Sequence, residues 1–236
     1  MALPKQTAPV FSAVVPSTED KIKFKPFLVK HEKALLIAQQ TEDLDAIVDT
    51  IKEVLTDCIQ SPIDIDNLAI FDIEYLLSQI RSKSVGEISE LIFACDTCND
   101  PKARVKIPFD LTKLKVEKNP EHNKKISLFD NVGIVMKYPN INTVKRLDKS
   151  DLSIEDMFRL IIDSIEYIYD DNEIYYTKEQ TKEELIEFVN NLTQEQFSKI
   201  QSFFETMPKL RQRVTYNCPV CGAPHNKYIE GIESFL

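Results

Sequence analysis

Two Cys-x-x-Cys pairs, one in FACDTCND at 93–100 and one in YNCPVCGA at 216–223, constrain this chain more than any other feature. A two-residue spacing lets both thiolates turn toward one ion while backbone N–H groups of the turn face the sulfurs. Each pair is expected at the tip of a β-hairpin, because EISELIFAC and ARVKIPFDL flank the first, and strand-like runs flank the second. Pro219 and Gly222, after the first and second cysteines of CPVCG, suit such a turn. Four thiolates form the closed, tetrahedral, structural type of zinc site, with no position left for substrate or water. Cys95, Cys98, Cys218 and Cys221 are therefore the candidate ligands of one structural zinc ion.

The separation of the pairs needs an explanation. A compact zinc ribbon places its pairs about 15–20 residues apart, whereas 119 residues, 99–217, lie between Cys98 and Cys218. A shared site then requires an insertion between the hairpins, with the metal tying the end of the chain to its middle. Reduced thiols without metal, and disulfide or redox chemistry, are the other readings; CDTC lacks the βαβ context of a thioredoxin-like pair. His225, four residues past Cys221, is a conceivable substitute ligand but reads as a strand residue. Cys58, on the apolar face of a helix, reads as a small buried hydrophobe.

Along the chain, Val10–Val15 and Lys21–Phe24 read as strands on either side of the turn PSTED. Helices are expected over 29–40, from Asp43 to about Ile59, and over 66–84, where Asp66 or Asp72 would cap. After the first cysteine hairpin a polar loop covers 117–125, and DNVGIVMKYP at 130–139 is a third β-like run. From 140 to 208 the pattern is helical. SIEDMFRLIIDSIEYIYD carries a capping pair, Ser153 and Asp156, and an apolar stripe from Ile154 through Ile165 to Ile168. TKEELIEFVNNL and TQEQFSKIQSFFETM follow as a helical hairpin, the second opened by Thr193 and Gln196 and stopped by Pro208. The expected class is α+β: helical bundle segments with β-hairpins, two of them cysteine-tipped and joined by one zinc. The expected division is an N-terminal hairpin plus helices over 1–85, a zinc-ribbon-like unit from 86–139 and 209–236, and an inserted helical segment over 140–208.

Composition narrows the function. A net charge of −9 opposes non-specific nucleic-acid binding, which draws its affinity from Lys and Arg. Four glycines in 236 residues leave no phosphate-cradling glycine loop. No run approaches the roughly 18 apolar residues of a membrane span, and the first residues lack a signal-peptide core. A cytoplasmic location is expected, and paired cysteines suit its reducing conditions. His31 and His122 stand alone in sequence and read as solvated or capping residues. YDDNEIYYTKEQ (169–180) clusters Asp170, Asp171 and Glu173, but lacks the glycine and terminal glutamate of a calcium loop and reads as a solvated turn between helices. Its tyrosines suit either core packing or an interface. Lys209, Arg211 and Arg213 fit an exposed basic strand face. No Ser-His-Asp set, nucleotide loop or catalytic carboxylate pair can be picked out, so the chain reads as a non-enzyme.

VPSTEDKIKFKPFLVKHEKALLIA (15–38), FDIEYLLSQIRSKSVGE (71–87) and MKYP (136–139) together resemble the T4-type bacteriophage baseplate protein family. That family includes baseplate hub subunits and hub assembly proteins of contractile-tailed phages. The resemblance spans about residues 3–165 and is most specific in PFLVKHEK and DIEYLLSQIRSKSVGE. It implies a non-enzymatic role in virion assembly in the host cytoplasm, either as a subunit that sits in the hub of the tail baseplate or as a chaperone of hub assembly, with other hub or tail proteins as partners. It carries no catalytic residue over. The competing class is a zinc-ribbon nucleic-acid-binding or transcription-accessory protein, which the paired cysteines favour and the charge of −9 opposes.

Overall fold

Alternation of apolar and polar residues makes the first hairpin: β1 (Phe11–Val14) pairs antiparallel with β2 (Lys21–Phe24), Phe11 opposite Phe24. Three helices follow, α1 (Val29–Thr41), α2 (Leu44–Cys58) and α3 (Ile70–Ser84). Asp43 caps α2 by accepting from the Asp45 N–H. On that helix Ile47, Val48, Ile51, Val54, Leu55 and Cys58 recur at three- and four-residue steps and are all buried. Asp72 lies in the first turn of α3. It is buried inside the helix, and its carboxylate accepts from the Ser17 N–H at 2.9 Å and the Ser17 hydroxyl at 2.5 Å. The carboxylate thereby ties the β1–β2 turn to α3.

The chain, seen in a computed structural model that describes residues 8–41, 43–98, 100–145 and 153–231, then runs through many short elements. They are β3 (Ile88–Ala94), β4 (Arg104–Asp110), β5 (Val116–Glu117), β6 (Lys125–Phe129), β7 (Val132–Met136), α4 (Ile141–Lys145) and α5 (Ile154–Asp163). After these come β8 (Ile165–Tyr169), β9 (Ile174–Tyr176), α6 (Lys182–Asn190), α7 (Gln194–Thr206), β10 (Lys209–Asn217) and β11 (Pro224–Glu230). The mixture of α-helices and small antiparallel sheets agrees with the α+β expectation at that level. No helix among the described residues is long and apolar enough to cross a membrane.

Two compact units emerge, the first comprising Met1–Ile65, Phe71–Glu117 and Lys209–Leu236, the second Asp66–Ile70 and Lys118–Pro208. This division differs from the expected one. Residues 118–139 go with the inserted segment, because β6 and β7 belong to a four-stranded sheet in the order β6-β7-β8-β9. The segment 140–208 is not wholly helical, and its helices cover a sheet where a bundle was expected. Ile126 and Leu128 of β6, Ile134 and Met136 of β7, and Ile165 and Ile168 of β8 form one core with Ile161 and Ile162 of α5, Leu185 and Val189 of α6, and Ile200 and Phe203 of α7. Each buried aliphatic side chain there contributes roughly 1.5–3 kcal/mol. Capping boxes open all three helices: Ser153 with Asp156, Thr193 with Gln196, and also Thr181 with Glu184. α5 ends at Asp163, where the Ser164 N–H turns back to the Leu160 and Ile161 carbonyls. The expected stripe beyond it is strand β8.

Candidate metal centre

The first unit holds both cysteine hairpins. β3 and β4 pair without a break from Ile88 opposite Asp110 to Ala94 opposite Arg104, so Cys95 and Ala103 face each other as the strands end. The Cys95 N–H donates to the Ala103 carbonyl at 2.9 Å and closes the turn. β10 and β11 pair from Arg211 opposite Glu230 to Asn217 opposite Pro224, and the Cys218 N–H donates to the Ala223 carbonyl at the same 2.9 Å. Gly222 has φ +72° with open space where a Cβ would point, and its N–H donates to the Cys218 carbonyl at 3.0 Å. That left-handed residue is the reason glycine follows the second cysteine.

Between the hairpins lies an apolar layer. Phe109, Leu111, Leu114, Leu210, Val214, Tyr216 and Ile229 are buried there, and Leu91, Phe93, Val105 and Ile107 pack on them. The layer ends at the cysteines. Cys95, Cys218 and Ala103 are buried, Cys98 is half-buried and Cys221 is exposed.

All four Sγ atoms lie within 4.8 Å of one another. Cys95 to Cys221 and Cys98 to Cys218 are each 3.8 Å. A tetrahedron of thiolates at the usual zinc–sulfur distance of about 2.3 Å has an edge of about 3.8 Å, so the cluster fits zinc in size as well as in donor type. Backbone N–H groups face the sulfurs: Thr97 donates to Cys95 at 3.3 Å, and Val220 and Cys221 each donate to Cys218 at 3.4 Å. The N–H groups of Cys98 and Thr97 hold the Cys95 thiol down at about 5. Cys98 is pushed the other way: the Asp100 N–H favours its thiolate, yet burial and the neighbouring sulfurs drive it up to about 12. Sulfurs this close share protons among themselves, and four thiolates coexist only around a cation.

A second layer of contacts joins the hairpins. The Tyr216 hydroxyl donates to the Ala94 carbonyl at 3.0 Å, and Lys227 pairs with Asp96 at 2.6 Å. His225 stacks on Tyr216 with ring centroids 4.9 Å apart and brings its Nε2 to 3.2 Å from the Cys95 sulfur. His225 is a strand residue as expected, but one aimed at the cluster. Its register opposite Tyr216, two residues before Cys218, is the signal in the sequence that points there.

The remaining candidates resolve differently. His31 is buried rather than solvated, but its capping reading holds: Leu28 precedes α1 and accepts from the His31 and Glu32 N–H groups, and the imidazole takes the Leu28 N–H in return. Its Nδ1 accepts from the Leu28 N–H at 3.1 Å, and its Nε2 donates to Asp57 at 3.0 Å. The sulfur of Cys58 lies 3.9 Å from Nδ1, so Cys58, His31 and Asp57 follow the order of a nucleophile, base and carboxylate that nothing in the linear sequence announces. The set is not organised for catalysis: Cys58 is buried, burial pushes its thiol up to about 11, and Nδ1 already accepts a backbone N–H. His122 stacks on Tyr138 and lies tilted against Phe203, with Nδ1 3.0 Å from the Thr206 hydroxyl, and burial lowers its pKa.

The acidic stretch is a β-hairpin turn and does not link helices. Asp170 accepts from the Asn172 and Glu173 N–H groups and from the Tyr175 hydroxyl, and the Asn131 side-chain amide donates to Asp171. On β10, Arg211 pairs with Glu117 at 2.5 Å and lies 4.8 Å over the Tyr228 ring, while Arg213 donates to Asn226 at 2.6 Å. Two of the three basic side chains thus have partners within the sheet.

Residues 8–236 match the model of the family described as T4 bacteriophage base plate protein. The match takes in the N-terminal hairpin, the helices and both cysteine pairs, and extends well past residue 165, where the resemblance of individual stretches fades. No curated protein and no solved structure shows a significant match. A match over nearly the whole chain, including every element described above, means that the chain belongs to the T4 bacteriophage base plate protein family.

Proposed function

We propose that this chain is a non-enzymatic structural or assembly protein of the baseplate hub of a contractile-tailed phage, acting through contacts with other hub or tail proteins. The family match over residues 8–236 is the observation that carries this reading. In it, Cys95, Cys98, Cys218 and Cys221 hold one zinc ion. The sulfur spacing supports this, and a closed four-thiolate set stabilises without activating water. Zinc would cross-link two hairpins whose own sheets are small, one of two strands and one of three. Ile88 and Ile92 in the first unit, and Ile154, Met157 and Ile186 in the second, expose apolar surface of the kind that protein contacts bury. The site of action is the host cytoplasm during assembly and the virion tail thereafter.

A nonsense mutation early in this gene of the encoding phage tests the role. The expected result is loss of complete baseplates in electron micrographs of lysates, restored by supplying the protein in trans. Complete, contractile tails without the protein would overturn the reading.

A further inference from the structure

We infer that His225 is a positioning residue for the metal site: its Nε2–H donates to the Cys95 thiolate and fixes the sulfur's direction, while the four cysteines alone ligate. The inference rests on the zinc reading above and adds a residue that the cysteine spacing does not contain.

The geometry is a two-point grip on the end of β3. Tyr216 and His225 are opposite each other in the β10–β11 register and stack at an interplanar angle of 20°. Tyr216 donates to the carbonyl of Ala94 at 3.0 Å, and His225 places Nε2 3.2 Å from the sulfur of the next residue, Cys95. One aromatic pair on the second hairpin therefore holds both the backbone and the ligand atom of the first. The stack fixes the imidazole plane, and the plane fixes where the N–H points.

Cys95 also receives the Thr97 N–H at 3.3 Å. A zinc-bound thiolate keeps lone pairs that accept hydrogen bonds, and each donor stabilises its charge and restricts its swing. Within each hairpin the turn supplies N–H donors to a sulfur, at Cys95 and at Cys218. The His225 contact, by contrast, crosses from one hairpin to the other. Its loss should loosen the site without changing which atoms bind metal.

The test uses the full-length protein, stripped by chelation and loaded with Co2+ as a spectroscopic probe, then with Zn2+ for release kinetics. The variants are His225→Phe, which keeps the ring stack but has no N–H, and His225→Gln, which keeps an N–H donor without the ring. Both are expected to bind one Co2+ with the ligand-field bands and charge-transfer intensity of a four-thiolate site, as in the unsubstituted protein. His225→Phe should release Zn2+ roughly 10–100-fold faster, the usual size of an outer-shell effect, and His225→Gln should recover part of that loss. A changed ligand-field pattern in His225→Phe, beyond a small shift of the charge-transfer bands, would make His225 a ligand and overturn the inference. So would unchanged release, which would assign the stack a packing role only. Failure of the unsubstituted protein to bind Co2+ or Zn2+ at all is a separate outcome that removes the zinc reading itself.

Discussion

Cys218→Ser is expected to abolish tight zinc binding and to lower the melting temperature of the zinc-loaded protein by on the order of 10 °C. The argument starts from linkage. An ion bound only by the folded state stabilises it by about 4 kcal/mol when free zinc is a thousand times Kd, and each kcal/mol moves Tm by roughly 2–4 °C in a chain of this size. Cys218 is the residue to change because its sulfur is buried, accepts two backbone N–H groups and lies 3.8 Å from Cys98. A serine hydroxyl there has a shorter reach and does not ionise, and three thiolates are left around an incomplete shell. The control is chelation. The unsubstituted protein should lose the same increment when metal is removed, and Cys218→Ser should not respond. Metal uptake displaces protons from thiols such as Cys98, so the increment should shrink as pH falls. Equal response of both proteins to chelator would contradict the account.

Gly133→Ala is expected to cost about 3 kcal/mol, the upper part of the range for overpacking a dense interior. Gly133 lies on β7, inside the β6-β7-β8-β9 sheet, opposite Ser127 on one side and Tyr169 on the other. An added methyl carbon would sit 2.6 Å from the Ile126 carbonyl oxygen and against the Tyr169 hydroxyl. The tyrosine could swing away, although Lys125 lies 4.7 Å over its ring. The carbonyl belongs to the neighbouring strand and cannot move without breaking the ladder. Urea denaturation measures the change; a midpoint within error of the unsubstituted protein would show that the sheet accommodates the methyl group.

These two sites also mark what the sequence reveals and what it conceals. The cysteine pairs are legible because a two-residue spacing has few other uses, and because alternation in ARVKIPFDL and RQRVTYN places the strands around them. Helix starts are legible where chemistry marks them: Asp43, Ser153 and Thr193 all cap as their side chains suggest. β8 is concealed because Ile161, Ile165 and Ile168 fall by coincidence at helical spacing across the end of α5. Its β-branched and aromatic composition, followed by the turn residues DDNE, is the competing signal that wins once β7 offers a pairing edge. β6 hides in a polar stretch because only Ile126 and Leu128 face inward. The Cys58–His31 contact spans 27 residues and depends on α1 packing against α2, which local pattern cannot report. His225 is visible as a strand residue, but its aim at Cys95 follows only from the register.

Zinc stoichiometry and the zinc-edge X-ray absorption spectrum of the protein purified without added metal test the central claim most directly. One zinc per chain with a single shell of four sulfurs at about 2.3 Å is the expected result. Substoichiometric metal, or a shell containing nitrogen or oxygen, would contradict a site closed by Cys95, Cys98, Cys218 and Cys221.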